Sequence, residues 1–306
     1  MFSKGELVKR IEERTPQTEA VPSMAKALRR RSSLRWYLLL FLPLLFLLTF
    51  YAYPISRMLL RSFFDPGFTL DHYRHFFRES AYSSVLINTF RMSISVTLLC
   101  LILGYPVAYL LANFPPRVSN LLMIMVVLPF FTAILVRTYA WMVILGRNGL
   151  INQFLMEWSL ISSPLKLMHN LFGVYVGMVH ILLPFMILPI YSVMIGIDKS
   201  LMRAAENLGA DPARVFLHVF MPLSLSGVGG GCLLVFIIAL GFYITPSLLG
   251  GVSDVMISMF IETQVNQLLN WGFASAMAVL LLTVTLIIFS IYNRFFGIER
   301  MVGHTR

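Results

Sequence analysis

The sequence predicts an all-α integral membrane protein with six transmembrane helices. Three observations carry that fold class. Of 306 residues, 58% are apolar and only 12% are charged, against about 45–50% and roughly 25% in an ordinary soluble domain. Six apolar runs approach or exceed the roughly 20 helical residues that span a bilayer core. The basic residues divide unevenly about those runs, sixteen on one side and six on the other, with Arg91 and Arg137 inside. Composition therefore excludes a soluble enzyme, a disordered chain and a disulfide scaffold. Cys100 and Cys232 lie in apolar runs without metal-site spacing and read as small core residues.

The elements follow in order. Residues 1–33 are polar and basic and read as a cytoplasmic tail. Its Arg29-Arg30-Arg31 cluster suits anchoring on anionic membrane lipid. Nucleic-acid binding is disfavoured, because nothing folded accompanies the cluster. The first run, residues 36–54, is too long for a signal-peptide core and lacks a small-residue cleavage site, so it is expected to be retained. Trp36, Tyr37, Tyr51 and Tyr53 would mark its interfaces. The remaining spans are expected at residues 85–112, 121–145, 171–195, 227–249 and 274–292. Together they define a permeation-type domain over residues 34–296, followed by a short tail at 297–306. Pro43, Pro106, Pro129, Pro184, Pro189 and Pro246 lie in or at the ends of these runs. Membrane helices accommodate such breaks when neighbours satisfy the freed carbonyls. Gly229-Gly230-Gly231 opens an apolar run and reads as a close helix contact rather than a phosphate loop. The excess of basic residues on one side places both termini in the cytoplasm.

Several chemistries are missing from the sequence. No proposed span carries a carboxylate in its interior, which disfavours an ion-coupled secondary carrier. None of the five lysines stands in a G-x-x-x-x-G-K-[ST] frame, so energy for active transport would come from another chain. His180 has no second histidine or carboxylate three or four residues away and reads as a packing or cavity residue, not a metal ligand. His72 and His75 read as part of a solvated amphipathic face. No catalytic and no metal-binding residue is expected, and no cofactor of the chain's own.

The segment 196–222, GIDKSLMRAAENLGADPARVFLHVFMP, is too polar to span and too patterned for a linker. Asp198 can cap a helix over residues 201–208 that Gly209 stops. Asp211 and Pro212 can start a second helix, which Pro222 is expected to end. The result is a two-helix knob with a small tip, Ala204-Ala205, and with Val215, Phe216 and Val219 expected to be exposed for a partner. Ala204, Ala205, Gly209, Val219, Met221 and Pro222 match the EAA-x3-G-x9-I-x-L-P pattern, with Arg203 in the place of the glutamate. The sequence therefore resembles the inner-membrane permeases of binding-protein-dependent ABC importers. That resemblance implies a type I ABC importer permease fold with cytoplasmic coupling helices. It assigns coupling to the ATPase subunit to Arg203, Ala204, Ala205, Gly209, Val215, Phe216, Val219 and Pro222.

A second resemblance extends over most of residues 36–296. GYPVAYLLA, LPFFTAILVRTYAWMVILGRNGLIN, FYITPSLLGG and VNQLLNWGFASAMAVLLL are similar to the spermidine/putrescine permease branch. It implies a bacterial inner-membrane subunit that moves polyamines or related small organic cations inward. The implied partners are two copies of an ATP-binding subunit, a second permease subunit of paralogous type and an extracytoplasmic solute-binding protein. ATP would be bound by the partner subunit. Near relatives carry opines and amino-acid derivatives, so another small solute is the alternative. Tyr139, Trp141, Phe242 and Tyr243 offer aromatic faces to a cation, and Asp254 and Glu262 offer carboxylates in a loop without Lys or Arg. Phe236 and Phe242 could close a pathway as an apolar gate. An aromatic belt beside a solvated acidic loop is the plainer alternative. Arg137, within a span, argues against a path friendly only to cations; it would snorkel outward or pair with the partner subunit.

Overall fold

A computed structural model describes residues 39–64 and 67–296, the side chains of the last two residues excepted. The tails at 1–33 and 297–306, and the expected interface residues Trp36 and Tyr37, lie outside the described residues. The chain divides into two compact units, one ending at Leu60 and the other beginning at Arg61.

The apolar helix α1 (Leu39–Arg61) supplies the described residues of the first unit up to Leu60, and no buried residue interrupts it. A widened π turn over Leu48–Ala52 precedes Pro54. Proline has no N–H to donate, and its ring would collide with the carbonyl four residues back, so a widened turn relieves the helix there.

In the second unit the described residues form α2 (Asp71–Arg78), α3 (Ser80–Asn113), α4 (Pro116–Val127), α5 (Ile134–Leu145) and α6 (Leu150–Glu157). There follow α7 (Leu171–Ile195), α8 (Lys199–Asn207), α9 (Pro212–Leu240), α10 (Ile244–Leu249), α11 (Ile257–Asn266) and α12 (Trp271–Phe296). Helices α3, α7 and α9 enclose the core. Met92, Val96 and Cys100 from α3 meet Met178, Leu182, Met186 and Ile190 from α7 and Val235 and Ala239 from α9. Their four-residue spacing puts each set on one helix face. Glycine allows α9 to approach α7 closely. A Cβ on Gly227 would stand 3.0 Å from the Ile190 Cα, and one on Gly231 would stand 2.9 Å from the Met186 sulfur. The glycine run therefore serves helix packing at Gly231. A smaller cluster joins Phe76 of α2 to Ile257, Phe273 and Met277.

Three expectations change. The run 121–145 is not one straight helix: its halves are bent by 98°. Pro129 lies in a 3₁₀ turn over Leu128–Phe131, and Thr132 and Ala133 are extended. The Thr132 hydroxyl and amide both donate to the Pro129 carbonyl, at 2.7 and 3.1 Å, which satisfies the broken backbone. Among the described residues five helices are long and apolar enough to span, and there are six when the bent pair is counted as one broken span. The fifth span runs from Pro212 to Leu240, well ahead of its expected start at Gly227, and breaks at Gly241. Finally, His72 and His75 do not lie on a fully solvated face. Their rings stand 6.4 and 5.2 Å from that of Phe273.

Candidate functional site

The first candidate site is the elbow between α8 and α9. The Asp198 carboxylate caps α8 by accepting from the Ser200 amide at 2.8 Å. Those Ser200 hydrogen bonds, with the charge of Arg203 behind them, hold its pKa below the usual carboxylate value. At the other end Gly209 takes a φ of +88°. Its amide donates to Glu206 at 2.9 Å and the Ala210 amide donates to Ala205 at 3.1 Å, the paired closure of a Schellman motif. Space around Gly209 is open, since a Cβ at this position would meet nothing within 4 Å. Backbone conformation rather than crowding therefore requires glycine here. Asp211 and Pro212 then start α9, with Arg214 paired to Asp211 at 3.1 Å.

Two readings of this segment are corrected. Pro222 does not end the second helix. A π turn over Phe216–Phe220, closed by the Met221 amide on the Phe216 carbonyl, carries the helix past it into the span. Nor are Val215, Phe216 and Val219 exposed. Val215 is 6% exposed and the other two are half-buried. The Phe216 ring packs edge-on to Tyr109 at 5.3 Å and Tyr105 at 6.3 Å, fastening the knob to the end of α3. The surface open to a partner comprises Arg203 and Ala204 together with Leu201 and Leu208, the last 90% exposed. Leu208 was missed in sequence; its signal was an apolar residue directly before the helix-ending glycine.

The residues assigned to a pathway scatter. Trp141 is half-buried, and its indole N–H donates to His180 Nδ1 at 3.1 Å. Phe236 is half-buried with its ring 6.2 Å from that of Phe90, whereas Phe242 is buried. Asp254 is no free pathway carboxylate. It is 3% exposed and accepts from the Gly251 amide at 2.8 Å and the Ser253 hydroxyl at 3.1 Å, bracing its own turn. Glu262 is different. It is half-buried, lies beside the Tyr243 hydroxyl, and accepts a hydrogen bond from the Asn266 amide at 3.2 Å. Tyr243 and Glu262 are thus the two pathway candidates that the fold brings together. Tyr139 is exposed and lines a cavity whose charged residues are Arg147 and Lys166, a poor setting for a cation. Arg137, one turn before Trp141, has buried Nε and Nη1 atoms with no hydrogen-bond partner among the described residues. Sequence reasoning also missed the buried Thr138–Thr245 hydroxyl pair, 3.1 Å apart, which joins α5 to α10.

Bundle, broken span and elbow together define a permease subunit of an ABC importer. Residues 104–297 match the family described as binding-protein-dependent transport system inner membrane component, and the chain belongs to that family. It is 36% identical over 233 residues to the spermidine/putrescine transport system permease protein PotB of Escherichia coli K12, covering 76% of this chain and 84% of that one. The protein of that name from Haemophilus influenzae is 35% identical over 245 residues, covering 80% and 81%. The fold is also that of a chain in the crystal structure of a bacterial alginate ABC transporter in complex with an alginate pentasaccharide-bound periplasmic protein. There the TM-score is 0.71 at 17% identity, covering 92% of this chain and 98% of the other. The protein is a multi-pass inner-membrane transport component.

Proposed function

We propose that this permease imports polyamines, putrescine or spermidine, into the cytoplasm, driven by ATP hydrolysis on two partner subunits that engage the elbow at residues 198–222. The observation that supports the substrate most is the 35–36% identity to spermidine/putrescine permeases over most of the chain. The Tyr243–Glu262 pair adds the chemistry: an aromatic face and a carboxylate without an ion pair among the described residues. An ammonium group is attracted to both. A second, paralogous permease subunit would supply the other wall of the pathway, and an extracytoplasmic binding protein would deliver the solute. This chain binds no ATP itself and performs no catalysis. In a strain lacking its own polyamine importers, the complete system should restore uptake of labelled spermidine, and excess putrescine should compete. Uptake of another solute with no polyamine competition would overturn the substrate reading.

Both termini face the cytoplasm in this reading, supported by the sixteen-to-six basic asymmetry. A reporter active only outside the cytoplasm should work when fused after Phe68 or Leu160 and be silent after Gly209. Activity at Gly209 would invert the orientation and remove the elbow from the ATPase.

A further inference from the structure

At the Leu171 end of α7, opposite the end that carries the elbow, lies a cavity of about 760 Å³. Its walls are held together through Asn152, which is fully buried. The Asn152 amide donates to the Gly146 and Leu165 carbonyls at 3.0 Å each, and its oxygen accepts from the Leu165 amide at 2.8 Å. The end of α5 and the loop before α7 are thereby tied together across the cavity. Met142, Leu165 and Met168 give it apolar walls, and Arg147, Lys166 and His169 stand among the lining residues, with no carboxylate. Arg147 and Lys166 are exposed and form no ion pair among the described residues.

The depth of the cavity is set by α7. Its 25 residues rise about 37 Å, slightly more than the roughly 30 Å hydrocarbon core. A cavity at the end of that helix sits at the level of lipid headgroups. Apolar walls together with unpaired cations match a molecule with acyl chains and an anionic head. We propose that this cavity holds the phosphate headgroup and upper acyl chain of an anionic phospholipid, with Arg147 and Lys166 as the phosphate ligands. A soluble acidic protein surface would meet the cations but leave the apolar walls unfilled, which favours the lipid.

The test uses the permease purified with its partner subunits, exchanged into nanodiscs of phosphatidylglycerol or phosphatidylcholine, then washed in detergent. Lipid retained per complex is counted by native mass spectrometry. Wild type should retain phosphatidylglycerol and lose phosphatidylcholine. Arg147→Gln with Lys166→Gln should lower retention at least about tenfold, the scale of losing a charged hydrogen bond. Arg147→Lys should retain the lipid, and Arg74→Gln, which removes the partner of Asp71 at 3.7 Å away from the cavity, should change nothing. Equal retention of both lipids, or retention untouched by the double substitution, would overturn the proposal. Displacement by millimolar inorganic phosphate would assign the cavity to a free anion instead. Unchanged lipid with lost capture of the binding protein would make it a protein-docking surface. None of these outcomes bears on the polyamine reading, which uptake alone decides.

Discussion

Gly209→Val should leave the permease in the membrane and separate it from its ATPase subunits. The backbone there has a φ of +88°, a region that a β-branched residue avoids at about 1–3 kcal/mol. Relief requires the elbow to unwind, which breaks the Gly209 and Ala210 hydrogen bonds that end α8. A Cβ at this position meets no neighbour, so the effect follows conformational preference and not bulk. Gly209→Asn, which tolerates left-handed backbone better, should be milder than Gly209→Val. Gly209 itself stands outside the core of α3, α7 and α9, so insertion and yield should hold while uptake falls to background. Leu208→Asp should also release the ATPase, because Leu208 is 90% exposed and supports no internal packing. Arg203→Glu should be tolerated, since it restores the residue of the resembling pattern. Co-purification of the ATPase with tagged permease reads all four. Full retention and normal uptake in Gly209→Val would remove the elbow from coupling.

The two carboxylates of the loop between the fifth and sixth spans should separate by phenotype. Glu262→Gln keeps the shape and removes the charge beside Tyr243. If Glu262 receives an ammonium group, the loss of one charged hydrogen bond is about 1.5–3 kcal/mol, or roughly ten- to a hundredfold in affinity. Uptake at low polyamine concentration should fall by that factor, with assembly unchanged, and Tyr243→Ala should act in the same direction. Asp254→Asn should instead lower the thermal stability of the complex. That carboxylate is buried and holds the Gly251 amide and the Ser253 hydroxyl, so a passing cation would have to open that turn to reach it. Equal uptake defects in the two variants, with equal stability, would contradict the distinction.

Apolar length, the cap at Asp198, the stop at Gly209 and the start at Pro212 were legible because each depends on local chemistry. Long apolar runs cannot be solvated, and a positive φ selects glycine. The bend between α4 and α5 was not legible. Pro129 signals a break, but its angle depends on how Thr132 and the neighbouring helices satisfy the freed groups. Pro222 misled for a related reason: a single widened turn lets a helix pass a proline, and no sequence pattern here announces one. The exposure of Val215 and Phe216 was misjudged because the partners of Phe216, Tyr105 and Tyr109, lie more than a hundred residues earlier in the chain. Asp254 and Glu262 look alike in sequence. Only the turn that places the Gly251 amide on Asp254 tells them apart.

The central claim is that this chain links polyamine recognition to ATP hydrolysis on another subunit. It is tested most directly by ATPase activity of the complete complex in proteoliposomes, measured with polyamine-loaded binding protein. Loaded binding protein should stimulate hydrolysis several-fold in wild type and in Arg203→Glu, and not at all in Gly209→Val. Hydrolysis that is indifferent to polyamine in wild type, or equally stimulated in Gly209→Val, would contradict that link.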